Sequence, residues 1–358
     1  MWIYWIVFIL VSLSAFWQRQ IRASSLSIRP SRPVNIFWFC LLVVIIGFRH
    51  EVGADWESYL NHIDIASHQN FSEALSYNDP GYHILNWITA RIGGEVYFVN
   101  IVCGALFSFG LLRFCGSLPR PMLALVVAVP YLVIVVAMGY TRQGVAIGLA
   151  MLGLLALLNG RLLIFLLWIA LAAAFHKSAV ILVPLGIFSG SGRLWLKLIG
   201  VALTVTVLSA LFTQEVSETI RTRYVETGLD SSGAIIRISL NALPAIMFLI
   251  WRKHFVMFDY ERSFWTWLSI LAISFLGLLL ATPSTTVIDR LALYTFPLQL
   301  MVWSYFPDVI DKARQWSTLW VAAIVAYSAI TLFVWLAFAN HSFAWVPYKF
   351  YPLIWLES

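Results

Sequence analysis

Long, nearly unbroken apolar runs constrain the fold of this chain more than any other feature of its sequence. Hydrophobic residues make up 61% of the 358 residues and charged residues only 11%, whereas a soluble domain is about half apolar and a quarter charged. A membrane β-barrel alternates apolar and polar residues along each strand, and these runs do not. We therefore predict an all-α polytopic membrane protein, with about 10–12 transmembrane helices in a single integral membrane domain over residues 1–358. The apolar runs predicted to form these helices lie at 3–17, 34–48, 96–112, 122–138, 143–159, 162–176, 178–190, 194–212, 235–251, 264–281, 290–306 and 317–339.

The placement of lysine and arginine predicts the orientation of these helices. The net charge is +6, and most of the 23 basic residues fall in alternate loops if the N-terminus faces outward. Cytoplasmic loops are enriched in basic residues, so these loops are predicted to face inward. This arrangement requires that residues 81–92 do not cross the membrane. It leaves an outward loop at 49–95 with helices of its own, a second outward loop at 213–234, and an aromatic tail at 340–358 that is expected at the membrane interface.

The sequence gives no sign of a bound cofactor or of a nucleic-acid partner. Inward loops explain the basic charge without nucleic acid. The three cysteines, Cys40, Cys103 and Cys115, lie in or beside apolar runs and have no metal-ligand spacing. We expect no cofactor, while a divalent metal stays open for the carboxylates described below.

Four basic residues depart from this charge distribution because they face outward close to an apolar run. They are Arg49, Arg142, Lys177 and Arg290, and the last three are each predicted to begin a helix that descends from the outer face. A helix N-terminus carries partial positive charge, so a cation beside it is favourable where both bind one anion, most often phosphate. Alternatively, each cation reaches lipid headgroups, and Asp289 caps its helix and pairs with Arg290.

A second unusual cluster, residues 49–59, is both acidic and aromatic. Glu51 and Asp55 are four residues apart and would share one face if this segment were helical. Two carboxylates at this spacing suit proton transfer or a divalent ion, although a solvated loop helix is the simpler explanation of the spacing alone. His176 is either a packed side chain or a further candidate base, and residues 79–82 are typical of a plain turn.

Five short motifs occur in one order along the chain. They are GFRHEVGADWESY (47–59), NDPGYHILN (78–86), YTRQGVAIGLAM (140–151), AAAFHKSAVILVPL (172–185) and DRLALYTFPLQL (289–300). This series resembles the EpsG-like family, which are Wzy-type polymerases of bacterial exopolysaccharide and O-antigen. Two positions depart from the family pattern, because Ala54 replaces a threonine and Asp79 replaces a glutamate.

The resemblance implies glycosyl transfer at the outer face of the bacterial inner membrane, by a fold similar to that of multi-span lipid-donor glycosyltransferases. The donor would be a glycan on undecaprenyl pyrophosphate, and the acceptor would be the terminal sugar hydroxyl of another lipid-linked repeat unit. The implied partners are the lipid bilayer, a chain-length regulator and a flippase.

The resemblance and the charge pattern together predict the residues of the site. Arg142 and Arg290 are expected to bind the donor pyrophosphate through paired hydrogen bonds. The remaining residues predicted to bind substrate are Arg49, Lys177, Gln143, Tyr59, Tyr82 and Tyr294. The catalytic candidates are Asp55, Glu51 and His176. Asp55 is preferred as the base because the aromatic residues Trp56 and Tyr59 can shield its carboxylate and stack on a sugar ring.

Two other functions stay open. A flippase for a lipid-linked oligosaccharide also needs cations, but it needs them along the whole path through the membrane. Here the middles of the predicted spans are almost free of charge, which favours a site at the outer ends. Another outer-face transferase, either an O-antigen ligase or an acyltransferase that uses His176 as its base, would carry the same features.

Overall fold

The computed structural model of the protein describes residues 1–18, 32–188, 202, 206, 233–281, 285–311 and 315–357. Most of the span predicted at 194–212, most of the second outward loop at 213–234 and most of the first inward loop fall outside these residues. The predicted all-α membrane architecture is confirmed. Within the described part, five helices are long and apolar enough to cross a membrane, and five further apolar helices are shorter.

Helices make up nearly all of the regular structure. In chain order, the elements of the first half are α1 (Trp2–Trp17), α2 (Arg32–Gly47), β1 (Arg49–His50), α3 (Trp56–Ser67), α4 (Phe71–Ser76), α5 (Pro80–Arg91), α6 (Val96–Cys115), α7 (Pro121–Ala128), a π-helix (Val129–Ala137) and α8 (Thr141–Leu158). Those of the second half are α9 (Leu162–Phe175), a 3₁₀-helix (Lys177–Leu182), α10 (Val183–Phe188), α11 (Ala234–Trp251), α12 (Asp259–Ala281), α13 (Thr285–Ala292), a 3₁₀-helix (Leu293–Thr295), α14 (Phe296–Ile310), α15 (Ser317–Phe338), a 3₁₀-helix (Ser342–Ala344), β2 (Lys349–Phe350) and α16 (Tyr351–Glu357).

The π-helix forms part of the centre of the bundle, and every one of its residues is buried. Pro130 lies at its second position. A proline lacks the N–H group of a regular α-helical turn and its ring collides with the preceding turn, so α7 cannot continue unchanged through this residue. The wider π-helical turn accommodates the proline while the segment stays helical as far as Ala137.

Close contact between α6 and α8 depends on glycine. A Cβ atom added to Gly110 would lie 2.0 Å from the carbonyl oxygen of Gly148, which is shorter than any real contact. Membrane helices pack through dispersion and close backbone approach rather than through the hydrophobic effect, so small residues are favoured at such interfaces. This contact holds α8 against α6. It also brings the start of α8 beside the segment that precedes α6.

The 49–95 segment lies at one end of the bundle, called the loop end below. Its helices α3 and α4 each pack on α5, and α5 also packs on α9. A Cβ atom on Gly81 would lie only 3.0 Å from the carbonyl oxygen of Ala174, so glycine permits α5 to approach α9 closely. Residues 81–92 therefore belong to this end of the bundle, in the position that the charge distribution requires.

The C-terminal tail is more deeply buried than the sequence predicts. β2 pairs with β1 in an antiparallel ladder, with Arg49 opposite Phe350. Trp345 is completely buried, and its indole N–H donates a hydrogen bond to the carbonyl oxygen of Ile134 at 2.8 Å. The expectation of a wholly interfacial tail is thus wrong for Trp345, because the indole ring enters the bundle beside the π-helix. Trp355, by contrast, is 67% exposed.

We expect Trp345→Ala to lower the free energy of unfolding by about 3–5 kcal/mol, since it removes a fully buried indole and its hydrogen bond. Trp355→Ala is the matched control, because it removes an exposed indole from the same tail and should have little effect. The measurement is the unfolding midpoint of the purified protein in detergent. Equal midpoints for the two variants would contradict the anchoring role of Trp345.

Candidate functional site

Three cations from separate helices gather at the loop end. Arg142 is the second residue of α8, Lys177 is the first residue of the 3₁₀-helix after α9, and Arg290 lies in α13. All three side chains lie close enough to His176 to act electrostatically on its imidazole. This group of Arg142, Lys177, Arg290 and His176 is called the cation cluster below. Apart from the adjacent residues His176 and Lys177, its members are far apart in the sequence and come together only through the packing of the helices.

Asp79 holds Arg142 in place within this cluster. The two form an ion pair with Nη1 of Arg142 at 2.9 Å from Oδ2 of Asp79, and Oδ1 accepts the backbone N–H of Lys177 at 3.3 Å. The guanidinium group of Arg142 also lies over the ring of Tyr82, 5.9 Å from its centroid. Burial raises the pKa of the Asp79 carboxyl above its ordinary value, and the charge of Arg142 partly offsets this. Asp79 therefore holds the guanidinium group of Arg142 and the backbone of Lys177.

Sequence reasoning assigned Asp79 to a plain turn and so missed this role. Its backbone is left-handed, with φ of 54°, which aspartate adopts more readily than most residues. The signal that could have found it is its place immediately before Pro80, Gly81 and Tyr82, in one of the five motifs.

Arg290 differs from its prediction in two respects. It lies in the last turn of α13 rather than at the start of a helix. The partner of Asp289 is Arg237 on α11, at 2.7 Å, rather than Arg290. Since Arg237 takes the neighbouring carboxylate, Arg290 forms no ion pair with any residue that the structure describes. Its charge is available to an anion.

Gln143 connects the helices that carry the two arginines. Its Nε2 donates a hydrogen bond to the carbonyl oxygen of Arg290 at 2.6 Å, and its side chain is buried. Gln143 directly follows Arg142 in α8, so this one bond sets α8 against α13. In this structure Gln143 positions the cation cluster through the backbone of Arg290.

His176 is joined to α13 and α14 by a short hydrogen-bonded chain. Its Nδ1 lies 2.6 Å from Oγ of Ser178, and that hydroxyl donates to Oη of Tyr294 at 3.1 Å. Ser178 therefore links the imidazole of His176 to the phenol of Tyr294.

Tyr59 shapes the turn that leads into Arg142. Its hydroxyl donates to the carbonyl oxygen of Gly139 at 3.1 Å and accepts the N–H of Thr141 at 2.9 Å. Burial raises the pKa of Tyr59 to about 12. The side chains of Tyr59, Tyr82 and Tyr294 are all buried. They pack inside the protein next to the residues of the site. That they contact a substrate stays a prediction.

Arg49 is also buried, with 0% of its surface exposed. Its guanidinium group donates to the carbonyl oxygen of Ile46, to Oδ1 of Asn100 at 2.9 Å and to Oγ1 of Thr141 at 2.7 Å. Arg49 forms no ion pair with any of the described residues. These bonds join the end of α2 to α6 and α8, so the structure places Arg49 beneath the site as a support for the start of α8.

Glu51 and Asp55 do not share a helical face, which corrects the prediction from their spacing. Glu51 and Gly53 have φ values of 50° and 104°, so the chain between them is not helical and α3 begins only at Trp56. A Cβ atom on Gly53 would lie 2.6 Å from the carbonyl oxygen of Met138, and the backbone N–H bonds to the carbonyl oxygen of Ala344, so this left-handed position suits only glycine. The two carboxylates therefore have separate environments.

Glu51 lies at the rim, half exposed and ion-paired with Lys349 of β2. Its hydrogen bond with Lys349 holds the pKa of Glu51 below its ordinary value. Asp55 lies at the start of α3, and its charge acts on the phenol of Tyr140, as does that of Arg290. Asp55 and Arg142 both act on the phenol of Tyr59 as well. Among the described residues, no group of three or more histidine, cysteine, aspartate or glutamate side chains is placed to hold a metal ion.

Comparison with known proteins identifies the family. Neither the curated proteins nor the solved structures give a significant match to the chain. The family model described as the EpsG family matches residues 34–350. That range contains all five motifs, the cation cluster and most of the tail that anchors the loop end. The chain is a member of the EpsG family.

Proposed function

We propose that this protein is a polysaccharide polymerase that joins lipid-linked repeat units by glycosyl transfer. Membership of the EpsG family supports a polymerase of the glycosyltransferase type. The observation that carries the proposal is the cation cluster, in which Arg290 has no ion pair among the described residues while Asp79 and Gln143 orient the site around it. Such a cluster suits a donor whose leaving group is a pyrophosphate.

In this proposal Arg290 and Arg142 bind the pyrophosphate of an undecaprenyl-linked glycan, with Lys177 beside them. The acceptor hydroxyl oxygen forms a bond to the anomeric carbon of the donor sugar as the bond from that carbon to the pyrophosphate oxygen breaks. The leaving pyrophosphate keeps the bonding electron pair, and the guanidinium groups stabilise its added charge. Because the leaving group departs as a stable anion, no acid is needed to protonate it.

The proton of the acceptor hydroxyl goes to Asp55 in this proposal. A positioned carboxylate assists attack by a weakly nucleophilic hydroxyl. Glu51 is less suitable because its ion pair with Lys349 lowers its pKa and holds it at the rim. Protonation of His176 would add a positive charge beside Arg142, Lys177 and Arg290, which is unfavourable. Its Nε2 is suited instead to orienting a substrate hydroxyl.

In this proposal six residues also position other residues of the site. Tyr59 and Arg49 hold the start of α8, Gln143 holds α13, and Asp79 holds Arg142. Tyr82 supports the guanidinium group of Arg142, and Tyr294 completes the chain of hydrogen bonds from His176.

Deletion of the gene tests this function directly. We expect lipid-linked single repeat units to accumulate, without the ladder of longer glycans on a gel, and the wild-type gene to restore the ladder. A ladder that remains on the undecaprenyl carrier would indicate a ligase, and repeat units trapped on the cytoplasmic side would indicate a flippase. Changed acetylation with a normal ladder would indicate an acyltransferase.

We also propose that the loop end faces the periplasm or the exterior of a bacterial inner membrane, where a flippase delivers repeat units and a chain-length regulator acts. Basic residues concentrated in the loops of the other end support this orientation. In a cysteine-free background, Ser72→Cys on α4 should react with an impermeant thiol reagent in intact cells. Asn159→Cys, exposed at the opposite end, should react only after the cells are opened. The reverse pattern would overturn the orientation.

A further inference from the structure

A cavity separate from the cation cluster lies on another face of α3. It has a volume of about 520 Å³, within the range of small-molecule sites. It is bounded by β1, by one face of α3, by the end of α5 and by the start of α6. Trp56, Leu60, Ile63 and Ser67 line it at helical spacing, whereas Tyr59 of the same helix reaches the start of α8. We call this cavity the α3–α6 groove.

Aromatic rings form the end of the groove nearest the start of α3. The ring centroids of His50, Trp56 and Tyr97 lie 5.7 to 6.1 Å from one another. Tyr351 of the C-terminal tail stacks on Tyr97 at 3.6 Å and extends the cluster. Trp56 is buried, whereas the rings of His50 and Tyr97 are partly exposed and offer a rigid apolar surface with polar edges, which suits the C–H face of a sugar ring.

Carboxylates provide the polar side of the groove. Glu51, Glu57, Asp64 and Glu95 all line it, and no lysine or arginine does. Glu57 and Asp64 form no ion pair with any residue of the described part of the chain. Carboxylates accept hydrogen bonds from hydroxyl groups and repel anions. The lining therefore favours an uncharged ligand rich in hydroxyl groups and disfavours a pyrophosphate.

We propose that the α3–α6 groove binds the sugar residues of the acceptor glycan. The assignment of the ligand as an acceptor rests on the polymerase function proposed above. Asp55 immediately precedes α3, and Trp56 of the groove is its neighbour in the chain. A glycan in the groove therefore ends close to the carboxylate that takes the proton of its hydroxyl, while the pyrophosphate of the donor occupies the cation cluster.

A matched pair of variants tests the groove. Leu60 and Ile65 both lie on α3 and are each 39% exposed, but only Leu60 lines the groove. The probe is the oligosaccharide repeat unit of the host, released from its carrier by mild acid, and its affinity for the purified full-length protein is measured by calorimetry. Leu60→Trp should weaken binding about tenfold or more, because the larger side chain fills the binding space. Ile65→Trp should bind the oligosaccharide like the wild type.

A second variant distinguishes a loss of the binding site from a folding defect in Leu60→Trp. Glu57→Ala combined with Asp64→Ala removes two exposed acceptors without adding bulk, and it should also weaken binding while the unfolding midpoint stays unchanged. Wild-type affinity in both groove variants would overturn the inference. So would displacement of the oligosaccharide by phosphoethanolamine, since it would assign the groove to a lipid headgroup.

The proposed groove and the proposed polymerase function can be rejected independently of each other. The free oligosaccharide carries no pyrophosphate, so its binding does not depend on transfer. If Leu60→Trp weakens binding but deletion of the gene leaves the glycan ladder intact, the groove binds a glycan and the protein is not the polymerase. If deletion abolishes the ladder but the groove variants bind like the wild type, the protein is the polymerase and the groove does not bind the acceptor.

Discussion

Arg290→Lys is expected to lower the turnover of reconstituted protein about a hundredfold, because it removes paired hydrogen bonds to the charge that develops on the leaving pyrophosphate. Lysine keeps the charge but is a single point donor, whereas the guanidinium group binds two phosphate oxygens at once. Gln143 holds the backbone of Arg290 rather than its side chain, so the local fold should tolerate the change. The measurement is the rate at which purified protein in vesicles extends lipid-linked repeat units.

The control is Arg161→Lys, the same substitution at an exposed position at the opposite end of the bundle. It should turn over substrate at the wild-type rate. Arg142→Lys should fall between the two variants, because lysine can still pair with Asp79. Normal turnover by Arg290→Lys would reduce Arg290 to an anchor for lipid headgroups and would remove the main support for a pyrophosphate site.

Asp55→Asn is the second variant with a large expected effect. Asparagine keeps the shape of the side chain and the start of α3 but cannot take a proton, so turnover should fall about a hundredfold or more with normal expression. His176→Ala should lose less activity, because we assign His176 to orientation rather than to proton transfer. Wild-type turnover by Asp55→Asn together with an inactive His176→Ala would make His176 the base.

A chelator separates the base from a metal ligand at the same residue. If Asp55 accepts a proton, EDTA should leave the turnover of the wild-type protein unchanged. If Asp55 instead binds a divalent ion, EDTA should abolish turnover and added Mg²⁺ should restore it.

The environment of the carboxylates could not be predicted from spacing alone. Glu51 and Asp55 have a helical separation, yet a left-handed residue and Gly53 break the backbone between them. The cause lies far away in the sequence, because Met138 leaves no room for a side chain at Gly53 and Ala344 accepts its backbone N–H. Local pattern could not reveal a conformation that is imposed by contacts with the π-helix and the tail.

The same reason explains the ion pairs. Asp289 neighbours Arg290 in the sequence but pairs with Arg237, which lies 52 residues away on α11. Asp79 looked like part of a turn, and only the approach of α5 to α9 and α8 brings it to Arg142 and Lys177. Each pairing depends on which helices become neighbours, and the hydropathy of single helices does not specify this.

The class of fold and the family follow from the sequence alone. Lipid cannot satisfy the hydrogen bonds of the backbone, so long apolar runs must become helices whatever their neighbours are, and motifs in a preserved order are visible without a structure. The packing of the helices sets which cation has no ion pair among the described residues, that Glu51 pairs with Lys349, and where Trp345 anchors the tail. Electrostatic and hydrogen-bond interactions act only over short distances in space, and the distances between these side chains are set by how the helices pack.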